Sequence, residues 1–561
     1  TAWLGTALTE MLSTELAAGG GLRPLPGETV ARARADLSLE PAQTLSRETL
    51  GRLRKATGAA LVVHGTFLDL GARGNGRVRL DVRLVDAARG ELLTSFSEEG
   101  EEAALDAVTS RAGSRLLEAL GSSRKVAARR EARRDREASR LHAEGIARLR
   151  LFDARGAEPF LRKAAERAPD DPLLHTDHAE ALWRLGRDPE ARAAARAAFE
   201  RLEGLPREER LAAEGKLHEV LGETKEAIEA LRALRRLYPD DLEYGLQLAA
   251  VQAESGDAKG SLATVAELRK LPAPAGDDVR LDLAEARALS EAEDYRRQEE
   301  AAARAAKRAG ADGLFAVLAR ALRLLGTARR ALGKGEEAAK AFAEARALHA
   351  KAGDRAAEAR VIRDAAGLAW DRGDLDASRR EVGESLVIFR EIGDERGLAV
   401  ALETLAVLEK AQGRPAAARA YLTEARDLYA RQGDQGRLLQ ATLTLANILV
   451  AEGDLAGAAR GFREVADGGR SRGSDEQAGL GDANLASVLL WRGELAEALE
   501  RNARAVETFR RIGHRDFEAA SLRTLATILR EGLRREEEET TLARAEEVER
   551  AQGSAPGPAT H

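Results

Sequence analysis

His175 and His178 stand three residues apart around Asp177, a spacing that puts two imidazoles on one face of a helix, as a metal site needs. The chain has no cysteine, and no carboxylate-rich partner matches the pair. An exposed pair on a polar helix is therefore the competing reading, and no metal ligand is assigned. Gly71, Gly74 and Gly76 cluster like a phosphate loop. They join two extended segments, however, with neither a following helix N-terminus nor a Gly-Lys-Ser/Thr, so a hairpin loop is predicted. Gly333-Lys334-Gly335 falls in a turn and fails in the same way. No hydrolase nucleophile elbow, zinc-protease helix or kinase catalytic set is recognised, so neither a catalytic residue nor a cofactor is expected. What remains is recognition by charged and polar side chains, and that depends on the elements that hold them.

The 561 residues are 32% charged and only 4% aromatic, and Ala, Leu, Arg and Glu dominate, which is a helix-former's alphabet. A net charge of -6 gives no overall basic field, so nucleic acid is not an expected partner. No run of about 18 apolar residues occurs, so no transmembrane segment is predicted. The chain opens at Thr1 in mid-pattern and its only methionine is Met11, which reads as an N-terminally incomplete product.

Residues 1–121 read as a small α+β domain. Leu4, Ala7, Leu8, Met11, Leu12 and Leu16 recur at helical spacing up to Gly19-Gly20-Gly21, and helical stretches follow near 28–37 and 43–57. Ala60 to Leu68 reads as a buried strand. Val78, Leu80, Val82 and Leu84 alternate with Arg79, Asp81 and Arg83, the period of a strand with one wet face. A strand from Glu91 to Ser97 and a helix over 102–120 complete the set. Trp3-Leu-x-x-Ala-Leu-Thr-Glu-Met-Leu, Leu22-Arg-Pro-Leu-Pro, Gly58-Ala-x-Leu-Val-Val-x-Gly-Thr and Leu80-Asp-x-Arg-Leu-Val-Asp-Ala-x-x-Gly-Glu-Leu resemble the TolB N-terminal-like domain, whose opening strand is missing here. In bacteria that domain often lies between a Ser/Thr protein kinase or a DNA-binding regulator and a helical repeat array. Residues 122–140 read as a basic helical linker; from 123 onward they carry eight Arg/Lys against three Asp/Glu. A solvated helix is the plainer reading, and contact with a polyanion the sharper one.

Small residues then recur in columns. Gly145, Ala179, Gly215 and Ala249 are spaced by 34, 36 and 34 residues, with Gly186, Gly222 and Gly256 seven residues after the last three. Beyond Gly313 the period becomes 40: Gly313, Gly353, Gly393, Gly433, Gly473, Gly513 and Gly553 form one series, and Gly333, Gly373, Gly413, Gly453 and Gly493 another. Gly326, Ala366, Ala406, Ala446, Ala486 and Ala526 run between them. These columns resemble the tetratricopeptide repeat, a helix-turn-helix with small residues where its two helices touch. Units of about 34 residues are expected over 141–271 and units of 40 over 313–552, with a disordered tail at 553–561. Residues 272–312 fit poorly, because Glu293 and Gln298 replace small residues, and a junction or bend is expected there. The fold class is therefore mostly α, an α-α superhelix with a small N-terminal α+β domain.

The resemblance implies a concave face lined by the first helix of each unit, carrying positions three and six before the small column and one and four after it. Those positions include Arg320, Arg323, Arg360, Arg363, Trp370, Glu403, Gln440, Asn447 and Arg523. Arg320, Arg323, Arg360 and Arg363 come from two adjacent units and would clamp an acidic or C-terminal carboxylate ligand. An ordinary solvated arginine face is the competing reading. The expected partner is thus a protein or peptide, and the expected role a sensor or scaffold module resembling the C-terminal region of bacterial Ser/Thr kinases. A transcriptional regulator and a free-standing scaffold are the alternatives. A cytoplasmic location is expected, with a membrane-tethered parent as the other possibility.

Overall fold

The computed structural model describes residues 2–18, 22–37, 39, 45–69, 77–101, 104–121, 136–532 and 534–553. The Gly19–Gly21 stop, the loop at 71–76, residues 122–135 of the basic linker and the tail beyond 553 lie outside them. Two compact units are formed, Thr1–Asp394 and Glu395–His561.

The first unit opens with α1 (Ala2–Ala18), α2 (Gly27–Asp36), α3 (Arg47–Thr57), β1 (Leu61–Asp69), β2 (Arg77–Asp86), β3 (Leu92–Glu101) and α4 (Leu105–Ala119). The strands pair antiparallel in the order β1-β2-β3. The alternation in β2 decides which face is covered: Val78, Leu80, Val82 and Leu84 are buried against Leu4 and Leu8 of α1 and Val108, Ala112 and Leu116 of α4. Each buried Leu-sized side chain contributes about 1.5–3 kcal/mol. Ser46 starts α3 by accepting from the Thr49 amide at 3.1 Å, and Gly58 ends it in the left-handed conformation.

Seven antiparallel helix pairs follow in this unit: α5 (Arg136–Arg150) with α6 (Ala154–Arg167), α7 (Pro172–Arg184) with α8 (Asp188–Phe199), α9 (Arg207–Leu221) with α10 (Thr224–Leu237), α11 (Leu242–Glu254) with α12 (Ala258–Leu268), α13 (Val279–Glu291) with α14 (Tyr295–Asp312), α15 (Phe315–Ala331) with α16 (Gly335–Ala352), and α17 (Arg355–Asp371) with α18 (Leu375–Ile392). The second unit has four: α19 (Glu395–Ala411) with α20 (Pro415–Gln432), α21 (Gln435–Ala451) with α22 (Leu455–Ser471), α23 (Asp475–Trp491) with α24 (Leu495–Arg511), and α25 (Arg515–Glu531) with α26 (Arg535–Gly553). The longer sequence period lengthens the helices: α7 and α8 have 13 and 12 residues, α17 and α18 have 17 and 18. The fold is a mostly α helical-repeat solenoid with a small α+β domain at its start. No helix among the described residues is long and apolar enough to cross a membrane.

The small column exists because a neighbour fills its space. The Phe342 ring of α16 sits where a Cβ on Gly326 of α15 would project. At Gly481 the obstacle is the Ala466 backbone, so α22 and α23 cross in direct contact. The turn within each pair repeats too. Gly256, Gly373 and Gly453 have φ between 76° and 83°, and the aspartate after each accepts an amide three residues on, as Asp257 does from Gly260 at 2.8 Å. Phe152 (φ 63°) and Glu293 (φ 55°) take the same left-handed seat without being glycine. That seat costs a side-chain-bearing residue about 1–2 kcal/mol, offset in part by the caps at Asp153 and Asp294, each worth about 1 kcal/mol. Across 272–312 the structure holds a regular pair, α13 and α14. Gln298 is buried there, with its side-chain amide donating to the Leu324 carbonyl at 3.1 Å.

Candidate functional site

In both units the first helices of neighbouring pairs touch, α5 with α7, α13 with α15 and α15 with α17, then α21 with α23 and α23 with α25. Their shared face in Thr1–Asp394 is a ladder of cross-pair bonds. His142 meets Asp177 at 2.7 Å, the Tyr244 hydroxyl donates to Glu208 at 2.9 Å, and Arg280 meets Glu243 at 2.6 Å. Lys216 pairs with Glu180, Arg323 with Asp364 at 2.8 Å, and Arg330 with Asp371 at 2.7 Å. The more exposed pairs, Arg323 with Asp364 and Arg330 with Asp371, contribute about 0–1 kcal/mol each, so they fix neighbouring helices in register more than they hold the fold. Arg280, flanked by Glu243 and Asp278 and mostly buried, is the strongest member. Burial works against its charge, but the two carboxylates hold it firmly protonated.

The arginines expected to form a clamp are paired with acids of the chain itself. Arg323 and Arg363 do converge, both on Asp364, at 2.8 and 3.3 Å. Arg360 reaches Asp394 at 3.5 Å, while half-buried Arg320 faces Asp36 and Asp354. Burial, then the neighbouring Arg32 charge, lowers the Arg320 pKa. Trp370 ends α17 with 37% of its surface exposed. Arg287, Ser290, Arg323, Thr327, Arg330 and Asp364 line a cleft of about 300 Å³. In Glu395–His561, Glu403 accepts from the buried Tyr429 hydroxyl at 2.7 Å, and Arg523 holds Glu549 through two bonds of 2.8 and 2.7 Å. Gln440 and Asn447 on α21 are exposed. Asp364, Asp394 and Asp36 are the acids that column spacing did not single out, because spacing places residues on a face without showing what reaches across from the next helix.

His175, Asp177 and His178 do not converge. His175 bonds the Pro169 carbonyl at 2.8 Å, Asp177 meets His142, and His178 lies 3.4 Å from Glu158. Among the described residues no three His, Cys, Asp or Glu side chains are grouped to hold a metal ion. Two short matches to catalytic signatures do occur in the sequence. Gly469-Arg-Ser-Arg-Gly473 spells a nucleophile elbow, but Ser471 closes α22 and donates to the Gly468 carbonyl at 2.9 Å, with no strand before it. His514-Arg-Asp516 spells part of a kinase loop, but His514 is the N-terminal cap position of a repeat helix. Neither has the context its chemistry needs.

Glu219 of α9 is the most perturbed acid on the first-helix face. Burial, then the Glu254 charge from α11, pushes its pKa from 4.5 to about 7, against the opposing pull of Lys216 and Arg287. A carboxyl that binds its proton more tightly in the folded state costs stability as pH rises from about 4.5 to about 7, and the cost persists above. Glu219→Gln is therefore expected to raise the melting temperature at pH 8, by on the order of 1 kcal/mol of stability after solvent screening, and to leave it unchanged at pH 4. A gain of equal size at both pH values would contradict this.

A family model of the tetratricopeptide repeat matches residues 214–241, which span the second half of α9, the turn after it and α10. No curated protein matches the sequence. Among solved structures, a signal-transduction ATPase with numerous domains and a tetratricopeptide repeat sensor, from Pyrococcus horikoshii, aligns with 70% of this chain at 13% identity and a TM-score of 0.46. The alignment spans 56% of that chain, a little over half its length. A Rap protein complexed with competence and sporulation factor aligns over 67% of this chain and 99% of its own at 13% identity (TM-score 0.39). A kinesin light chain repeat protein from Podospora anserina aligns over 35% and 96% at 17% identity (TM-score 0.32). With its paired helices, glycine-capped turns and matched segment, the chain carries a tetratricopeptide-type repeat array.

Proposed function

We propose that this chain is the partner-binding and sensor part of a signalling protein, and that it takes a polypeptide on the first-helix face. The observation that carries the reading is the surface of α19, α21 and α23. Val407 is 48% exposed there, Gln440 and Asn447 present exposed amides, and Val400, Val450, Leu480 and Leu490 are half-buried. Exposed amides can donate to and accept from a peptide backbone, and apolar side chains between them give contact area. In Thr1–Asp394 the corresponding groups are Arg323, Arg360, Arg363 and Trp370, where an acidic segment would exchange for Asp364 and Asp394. Glu403 and Arg523 flank the second unit's face.

Peptides selected from a random display library on the whole chain test this. Binding should fall at least tenfold in the Gln440→Ala, Asn447→Ala double variant, whose melting temperature should not change because both side chains are exposed. Undiminished binding would overturn the proposal. The TolB-like resemblance of residues 1–121 supports a bacterial Ser/Thr kinase as the parent, ahead of a transcriptional regulator or a free-standing scaffold. The complete reading frame decides: a kinase catalytic domain supports this parent, and a winged helix or a signal peptide in its place overturns it.

A further inference from the structure

From α5 to α15 the first-helix face already carries the chain's own N-terminal segment. Glu10 of α1 pairs with Arg150 of α5, and Glu28, in the first turn of α2, with Arg184 of α7 at 3.0 Å. Arg23, just before α2, bridges Glu208 of α9 and Asp241 at 3.0 Å each and lies 4.2 Å over the Tyr238 ring. Thr29 reaches Glu243 of α11 at 3.5 Å. At the far end Asp36 accepts the Ala316 amide at 2.8 Å, so a carboxylate from α2 caps the first turn of α15. Ala33 and Leu37 complete the seat by packing with Leu53 on Val279, Leu314 and Val317.

This is the composition of a separable contact. Within residues 22–37 only Ala33 and Leu37 are buried in the apolar cluster, and most of the remaining bonds join charged or polar groups that water can solvate once parted. Arg32 and Arg320 oppose each other across the same seat. Burial raises the Asp36 pKa while Arg320 and the Ala316 amide work to lower it. Burial likewise acts to raise Glu28, but Lys216 and Arg184 prevail and hold it below the ordinary range.

We infer that residues 22–37 are a tethered, displaceable ligand of a helix-binding groove formed by α7, α9, α11, α13 and α15. The competing partner is a helical polypeptide with the same order of groups: a guanidinium ahead of the helix, a carboxylate in its first turn and a second carboxylate eight residues later, aimed at the α15 N-terminus. A short tether presents its ligand at an effective concentration of roughly millimolar, so an outside helix must bind well enough to exceed that. The inference rests on the first-helix face being a binding surface, but its probe is the chain's own segment, so its failure leaves the test with selected peptides standing.

A fluorescein-labelled peptide of residues 22–37 is titrated by anisotropy against the whole chain and against its Arg23→Glu, Glu28→Arg variant. Amide hydrogen exchange is followed in both proteins, with the second helices α8, α10 and α12 of the same unit reporting that the variant is folded. The variant should bind the wild-type peptide at least tenfold more tightly than the unaltered chain does, and the Ala316 and Val317 amides should exchange at least tenfold faster in it. Adding Arg184→Glu and Lys216→Glu should remove the binding. Equal peptide affinity, or equal exchange at Ala316 and Val317, overturns the inference.

Discussion

Phe462→Ala is expected to destabilise the unit Glu395–His561 by about 3–5 kcal/mol, the usual cost of emptying a fully enclosed aromatic site. Phe462 is 1% exposed and lies in a cluster with Leu443, Ala446, Leu485 and Ala486, so two successive helix pairs lose their common filling at once. Collapse cannot recover the space, because the direct crossing at Gly481 and Ala466 already holds α22 and α23 as close as backbone allows. Repeat arrays are stabilised by nearest-neighbour interfaces, so the loss should be local. Hydrogen exchange should accelerate first in α21 to α24 and later in α26. A uniform acceleration through the unit, or a loss below about 1 kcal/mol in denaturant titration, would contradict this packing.

Asn502→Leu is expected to act in the opposite direction, raising stability by about 1–3 kcal/mol. Asn502 is fully buried in α24, and neither its amide nitrogen nor its oxygen has a protein partner. It stands four residues after the small residue Ala498, and the matching positions of other pairs hold Phe342, Val382, Leu422 and Phe462. A polar side chain thus occupies a seat shaped for an apolar one. The melting temperature of the unit should rise by roughly 2–4 °C per kcal/mol for a body of this size. A fall on substitution would mean that an ordered water satisfies the amide, and the site would then be a polar one by design.

What was legible in the sequence follows from which forces are local. A left-handed turn needs glycine nearly everywhere, so the Gly373 and Gly453 columns showed the turns directly, and the period of two in Val78 to Leu84 showed which face of β2 is covered. Phe152 and Glu293 hold the same backbone conformation against their own preference, so a search for glycine passes over them. The poor fit at Gln298 is met by a side-chain bond to Leu324, which no composition argument contains. Among the candidate residues, spacing put Arg323 and Arg363 on one face but gave no view of Asp364, with which both pair. Least legible was the seat of α2. Ala316 lies 280 residues from Asp36, and a polar helix looks the same in sequence whether water or another helix faces it.

The central claim, that polypeptides bind on the first-helix face, is tested most directly by photo-cross-linking a display-selected peptide to the whole chain. Benzoylphenylalanine is placed either at Asn447, on the first helix α21, or at Glu464, exposed on the second helix α22. Cross-linked product is expected from position 447 and none from position 464. Product from 464 with none from 447 would put the partner on the second-helix side and contradict that claim.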